Sequence, residues 1–334
     1  MNDAYFRSGD VLFVTSNYSN AIKAYNNAIK LSEIDSDYPA FQKAISVGYL
    51  GQSSKKIKEL EAFISDYPKS KLRDDAMYEL GNSYVKANET DKAMRVYDHL
   101  NSEYRMSTFV PKALLRQGLV YYNGNENERA LTKFKKVAGS YPGTPESIQA
   151  VSTAKLIYID LGRVDDYANW VKTLDSVEVT DSELDNATYT AAEKQYLDGN
   201  TDRAIRQFNG YVNDFPNGLH ILQAHFYLGQ LYYKKGLVAN AAPHYKYIVE
   251  TSQSEYTEEA LSRLSQYYLE EKTWNKAIPI LQRLEEEANY PQNVVFAQSN
   301  LMKANYQLEN FGEAVSYADK VLASSKIDNK IKSD

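Results

Sequence analysis

The chain has 334 residues, 43% of them hydrophobic and 25% charged, a composition that supports a folded core and is long enough for two conventional domains. Its 38 Lys and Arg stand against 44 Asp and Glu, a formal net charge of -6, so a general attraction to the phosphate backbones of nucleic acid is not expected. There is no Cys, which removes disulfides, thiol catalysis and Cys-based zinc sites together, and no apolar run approaches the ~20 residues that cross a bilayer.

The first residues, Met1-Asn2-Asp3-Ala4-Tyr5-Phe6-Arg7, lack the basic start and apolar core of a secretory signal. One pattern then runs to the far end of the chain. Its small-residue position is filled by Ala21, Ala93, Ala130, Ala204, Ala241, Ala277 and Ala314, at steps of 36 or 37 residues or twice that spacing. Degenerate copies fill the two double steps, with Lys56 and Asp166 near the expected Ala. The segments Ala76 to Tyr84, Ala113 to Tyr121 and Ala224 to Tyr232 align directly, each placing Gly (Gly81, Gly118, Gly229) three residues before Tyr. Beyond each Gly come Ala93, Ala130 or Ala241 and then Tyr97, Phe134 or Tyr245.

Apolar residues recur within each copy at spacings of three and four, the period of a helix with one buried stripe, so each copy is predicted to hold two helices. In chain order the repeats lie near residues 2–35, 38–70, 74–106, 111–142, 145–176, 185–216, 221–253, 257–289 and 292–322. Asn123-Gly124-Asn125 and Leu161-Gly162-Arg163 separate the two helices of repeats four and five. Gly81, Gly118 and Gly229 are expected to let the first helix approach the second where Ala93, Ala130 and Ala241 face them; Ala130→Leu should overpack that contact by roughly 1–3 kcal/mol. Repeats are joined at Asp66-Tyr67-Pro68-Lys69-Ser70, Ser140-Tyr141-Pro142-Gly143-Thr144-Pro145 and Asp214-Phe215-Pro216-Asn217-Gly218, where Pro stops a helix. The polar stretch at 175–184 keeps register across it, so we expect a single solenoid over 1–322 with a point of bending there, then a polar tail over 323–334 in which Ile327 and Ile331 hint at another helix.

Leu80-Gly81, Tyr84, Ala93 and Tyr97, and Gly118, Tyr121, Ala130, Phe134 and Pro142, resemble the tetratricopeptide repeat. The resemblance implies an all-α, right-handed superhelical solenoid of about nine helix-turn-helix repeats of 36–37 residues. It also implies a non-catalytic scaffold that binds a protein or peptide. The aromatic-Pro turns resemble those of two bacterial envelope proteins, the Tol-associated cell-division coordinator and the outer-membrane assembly lipoprotein. A periplasmic location follows from that second likeness, with a cytoplasmic peptide-sensing adaptor as the alternative.

No catalytic, metal or cofactor residues are assigned, and no cofactor is expected. His99, His220, His225 and His244 include no pair at the i, i+4 spacing that shares a helix face, and His225 stands at a packing position. Ser53-Ser54-Lys55-Lys56 matches Ser-x-x-Lys by chance and reads as a polar turn, while Glu285-Glu286-Glu287 reads as a solvated run.

In stacked helix pairs the first helices line the concave wall, so partner contacts belong on first-helix positions not spent on packing. These are Tyr78, Asn82, Lys112, Arg116, Tyr122, Lys155, Tyr158, Tyr189, Tyr196, Phe226, Gln230 and Tyr233, accompanied by Leu115, Leu119, Val151 and Glu193. The 29 Tyr then divide between motif positions expected in the core (Tyr84, Tyr121, Tyr232, Tyr268) and rings expected in the groove. Lys112 and Arg116 fit two places of the carboxylate clamp of chaperone-associated relatives, but Glu79, Phe41 and Ile45 stand where that clamp needs Asn, Lys and Asn, so capture of a chaperone C-terminus is not expected. Neither end carries an obvious polar cap, which suggests self-association or continuation of the array.

Overall fold

The computed structural model describes residues 2–31, 36–175 and 177–323. The expected helix hinted at by Ile327 and Ile331, and the rest of the tail from 324 on, lie outside them. The described residues form eighteen helices and no strand, arranged as nine consecutive pairs. The pairs are α1 (Asn2–Val14) with α2 (Tyr18–Leu31), α3 (Asp37–Tyr49) with α4 (Ser53–Asp66), α5 (Arg73–Lys86) with α6 (Thr90–Glu103) and α7 (Phe109–Asn123) with α8 (Asn127–Ser140). They continue as α9 (Pro145–Leu161) with α10 (Val164–Val171), α11 (Asp181–Leu197) with α12 (Thr201–Asp214), α13 (Ile221–Lys234) with α14 (Val238–Glu250), α15 (Thr257–Glu270) with α16 (Trp274–Glu287) and α17 (Pro291–Gln307) with α18 (Phe311–Ala323).

The turn inside each pair has one construction. A left-handed residue closes the first helix at Ser16, Gly51, Asn88, Asn125, Gly162, Gly199, Gly236, Lys272 and Glu309, with φ between 53° and 75°. The next N–H reaches back five residues, as from Glu126 to the Tyr121 carbonyl (2.8 Å) and from Leu237 to the Tyr232 carbonyl (2.9 Å), which satisfies an orphan acceptor of the helix end. In repeat four the left-handed position is Asn125, since Gly124 has φ -84°.

Close approach of the two helices rests on a Gly and an aromatic ring sixteen residues later. A Cβ on Gly9, Gly81, Gly118 or Gly229 would stand 2.4, 2.3, 2.5 or 2.8 Å from the ring of Tyr25, Tyr97, Phe134 or Tyr245. Those rings are buried, as are Ala21, Ala93, Ala130 and Ala241. Each Gly therefore faces the aromatic rather than the Ala expected to meet it, because the ring fills the space that the missing side chain leaves. Neighbouring pairs are tied by a carboxylate near the start of each of several first helices. Asp37 accepts from Ser70 (2.6 Å), Asp74 from Ser107 (2.5 Å), Asp185 from the Leu219 N–H (2.7 Å), and Glu258 from the N–H groups of Asn289 (3.0 Å) and Tyr290 (3.1 Å).

The chain divides into two compact units. The first holds Met1–Tyr158 with Asn169–Glu178, and the second Ile159–Ala168 with Val179–Asp334. Repeat five differs from the others in its second helix, α10, which has eight residues where every other second helix has 13 or 14. A helix of two turns offers half the apolar stripe for burial. Thr180 caps the following helix, α11, in a reciprocal capping box with Glu183. In the second unit one core joins α14 to α18 through Tyr245, Ile248, Leu261, Leu281, Leu301 and Tyr317, and another joins α11, α12 and α13 through Tyr189, Phe208, Tyr211 and Leu228.

Candidate functional site

With the second-helix rings and the Gly positions consumed by packing, four registers of each first helix remain for contact with other molecules. In α5 these are Asp75, Glu79, Asn82 and Lys86, and all four line a cavity of about 580 Å3 in the first unit. Its opposite wall is apolar, made by Phe13 of α1 and Phe41, Ile45 and Tyr49 of α3. Tyr49 is 62% exposed, stacked on Tyr18 at 4.8 Å and edge-on to Phe13 at 5.5 Å. The polar wall has one internal ion pair, Lys56 to Glu79 at 2.5 Å. Lys56 of the Ser-x-x-Lys segment is thus a cavity residue on α4, while Ser53 begins that helix. The Asp75 carboxyl is raised to about 6, first by burial, then by the charges of Glu79 and Asp74, with Lys112 and Lys56 opposing.

First-helix residues of the second unit form a hydrogen-bonded ladder. The Tyr196 hydroxyl donates to Gln230 Oε1 (3.0 Å), and the Gln230 amide donates to Glu259 (3.3 Å). Glu259 lies 3.9 Å from Arg263, whose guanidinium sits 4.2 Å above the Tyr233 ring. Tyr227 stacks on Tyr196 at 4.3 Å and accepts from Gln223 (3.2 Å). The result is a face of amide, carboxylate, guanidinium and phenol groups with half-buried ring surface, suited to a peptide backbone and its side chains.

The residues assigned to the groove from sequence divide three ways. Asn82, Lys112, Arg116 and Gln230 lie on these registers, and Tyr122, Tyr196 and Tyr233 lie one position before the fourth, all of them partly or fully exposed. Lys112 holds its ammonium 5.0 Å over Phe109, and Asn82 accepts from the Tyr97 hydroxyl (2.8 Å). Lys155 is half-buried on α9. Tyr78, Tyr189 and Phe226 share a different register, in which the ring packs against a residue at the start of the next first helix or just before it. Tyr78 meets Phe109 at 5.3 Å, Tyr189 meets His220 at 4.2 Å, and Phe226 meets Tyr256 at 4.5 Å. Tyr189 is a core residue, 4% exposed, with its hydroxyl donating to Glu193 (2.8 Å) and held well above its ordinary pKa by burial. Tyr158 is also a correction: it is fully buried, beside Trp170 at 6.2 Å and beneath Lys135 at 5.6 Å. Leu115 and Val151 are buried as well.

The repeat period itself carries the signal for Tyr158, which stands 37 residues after Tyr121 and so occupies the motif Tyr position. Nor is that motif position uniformly core. Tyr84 is buried and donates to Glu61, whereas Tyr121, Tyr232 and Tyr268 are half-buried at the turns. The fully buried tyrosines are Tyr25, Tyr97, Tyr158, Tyr211 and Tyr245, four of them on second helices.

Spacing along one helix also missed the one histidine pair that the hairpin brings together. His225 Nδ1 of α13 and His244 Nδ1 of α14 lie 2.9 Å apart, with His225 stacked on Tyr247 at 3.8 Å. Burial pushes both imidazoles down to about 4, and for His225 the charge of His244 adds to it. Among the described residues no group of three or more His, Cys, Asp or Glu is placed to hold a metal ion, and no helix is long and apolar enough to cross a membrane. Two residues of the acidic run Glu285-Glu286-Glu287 are paired: Glu285 with Lys320 (2.9 Å) and Glu287 with Arg283 (2.8 Å).

Three family models described as tetratricopeptide repeat match the chain, at residues 75–105 and 112–144, at 184–256, and at 3–35. No curated protein sequence matches it. Among solved structures it is similar to a tetratricopeptide repeat protein from Parabacteroides merdae, at 17% identity over 77% of this chain and 95% of that one, with a TM-score of 0.37. It is similar to the C-terminal part of a repeat-containing protein from Cytophaga hutchinsonii, at 13% identity over 98% of both chains, with a TM-score of 0.41. It is also similar to the TPR2AB domain of yeast Sti1, solved in its pHSP90 complex, at 15% identity over 79% of this chain and 97% of that one, with a TM-score of 0.37.

Proposed function

The chain carries tetratricopeptide repeats, and on that premise we propose that it is a non-catalytic scaffold that binds a protein or peptide along its first-helix faces. Proteins built of these repeats generally mediate protein–protein contacts. The observation that carries the reading here is the first-unit cavity, about 580 Å3 with an apolar wall facing a polar one, which is large enough to bury several side chains of an extended segment. The second-unit ladder adds the hydrogen-bonding groups and ring surface that a peptide main chain would use.

The test is affinity capture from the native host with the unaltered chain and with a Lys112→Ala, Arg116→Ala, Tyr122→Ala variant. These side chains are not among the fully buried ones, so the variant should fold and lose the captured partner. Equal capture by both would move the binding surface elsewhere. The finer reading is a role in a bacterial envelope assembly, supported by the aromatic-Pro turns at Tyr67-Pro68, Tyr141-Pro142 and Phe215-Pro216. Fractionation of the host into periplasm and cytoplasm checks it, and recovery in the cytoplasm would favour a peptide-sensing adaptor.

A further inference from the structure

We propose, resting on the peptide-binding reading above, that the first-unit cavity selects a peptide segment carrying Lys or Arg beside an apolar residue, with the cation seated against the Asp75 carboxylate and the apolar side chain against Phe13, Ile45 and Tyr49.

The charges of the cavity decide its sign. Of the four charged residues in its lining, Lys56 and Glu79 neutralise each other in their ion pair. Lys86 is exposed on the last turn of α5, where water solvates an ammonium and no partner is needed. Asp75 is different: it lies in the first turn of the same helix, partly buried, and its carboxylate makes no hydrogen bond or ion pair among the described residues. Its carboxylate neighbour Asp74 is occupied by Ser107. An unpaired, partly desolvated carboxylate beside an open apolar wall is stabilised most by a cation brought in from outside. A ligand carboxylate at the same place would meet Asp75 and Asp74, against Lys112, which is engaged with Phe109, while Lys56 and Glu79 offset each other. The apolar wall supplies the second half of the preference, because Phe13, Ile45 and Tyr49 stay partly exposed and their burial by a Leu, Ile or Phe would remove that surface from water.

The same environment gives binding a pH signature. The groups acting on Asp75 are Asp74 and Glu79 on its own helix, Lys56 from α4 and Lys112 from α7, and together with burial they leave its carboxyl at about 6 in the free chain. A seated cation lowers that value, so a cationic peptide binds more weakly as pH falls through 6, approaching tenfold per pH unit. A neutral peptide has no such dependence.

The experiment uses the full chain against an array of blocked pentapeptides in which the central residue is Arg, Gln or Glu and the other positions are drawn from Ala, Leu, Ile and Phe, with affinities of the best sequences measured by fluorescence polarisation at pH 7 and pH 5. The expected result is that Arg peptides bind at least about tenfold tighter than their Glu counterparts. Asp75→Asn should erase that preference, Asp75→Glu restore part of it and Lys86→Gln leave it in place, with thermal melting confirming that each variant is folded. Tyr49→Ala should weaken Arg and Gln peptides alike. Peptides that bind and lose affinity in Tyr49→Ala, but without preferring Arg or responding to Asp75→Asn, would overturn the cation preference and leave the peptide-binding reading standing. Binding of no peptide of any charge would overturn both for this cavity.

Discussion

Asp75 should stabilise the chain when it is removed. Its carboxyl is raised from an ordinary 3.8 to about 6, which means that the ionised form is disfavoured in the folded state. Carrying that charge at neutral pH costs about 3 kcal/mol if the whole shift is counted. The group is only partly buried, and solvent screening reduces the cost to about 1–2 kcal/mol. Asp75→Asn also gives up a favourable charge in the first turn of α5, worth about 0.3–1 kcal/mol, so a net gain of about 1 kcal/mol is expected at pH 7. The sign follows from proton counting: between 3.8 and 6 the folded chain holds more protons on this group than the unfolded one, so stability falls as pH rises through that window. The gain from Asp75→Asn is therefore full above pH 6 and absent below pH 4. Thermal melting of parent and variant from pH 4 to pH 8 should show midpoints that differ by about 1–2 °C at pH 7 and converge at pH 4. A variant that melts lower than the parent at pH 7, or one whose gain persists at pH 4, would refute the reasoning. A residue that costs stability while facing an open cavity is what a binding requirement leaves behind.

Four further outcomes follow from the packing. Gly118→Ala places a Cβ 2.5 Å from the buried Phe134 ring and should cost about 1–3 kcal/mol in urea unfolding, whereas Gly139→Ala, with nothing within 4 Å in the last turn of α8, should be neutral or stabilising by up to about 0.5 kcal/mol. Tyr158→Ala removes a fully buried ring and should cost about 3–5 kcal/mol, while Tyr233→Ala, on the half-buried ladder, should cost less, about 1–2 kcal/mol, and act on partner binding; circular dichroism melts distinguish them. The His225 and His244 imidazoles, held at about 4 against an ordinary 6.5, stabilise the chain fully above pH 6.5 and lose that contribution as pH falls toward 4. Proton NMR of the imidazole C–H signals should show both still neutral at pH 5.5, and titration of either near 6.5 would remove the facing pair from the account. Ala130→Leu should still destabilise by about 1–3 kcal/mol, since Ala130 is fully buried, and a neutral result in urea unfolding would show slack in that packing.

What could be read in the sequence was whatever one helix pair decides by itself. The Gly, Ala and aromatic positions of repeats three, four and seven carry the close approach of two helices within about twenty residues, and the left-handed turn residues recur with the same period. Two things were harder to read because they depend on a neighbouring repeat. The register of Tyr78, Tyr189 and Phe226 looks like open groove within one helix, but the residue that fills the space, Phe109, His220 or Tyr256, belongs to the start of the next first helix. The carboxylates of Asp37, Asp74, Asp185 and Glu258 read as ordinary first-turn acids, yet they accept from Ser side chains and N–H groups 31 to 34 residues away. The setting of Asp75 is equally hidden within one helix, since its charged neighbours come from α4 and α7 as well as its own helix.

The most direct measurement of the central claim is site-specific photo-crosslinking in host cells, with a photoreactive phenylalanine at Asn82, Arg116, Tyr196 or Tyr233 on first helices and at Lys58, Arg95 or Arg203 on second helices. The account predicts partner adducts from the first-helix positions and none from the second. Adducts from the second-helix positions alone would contradict it.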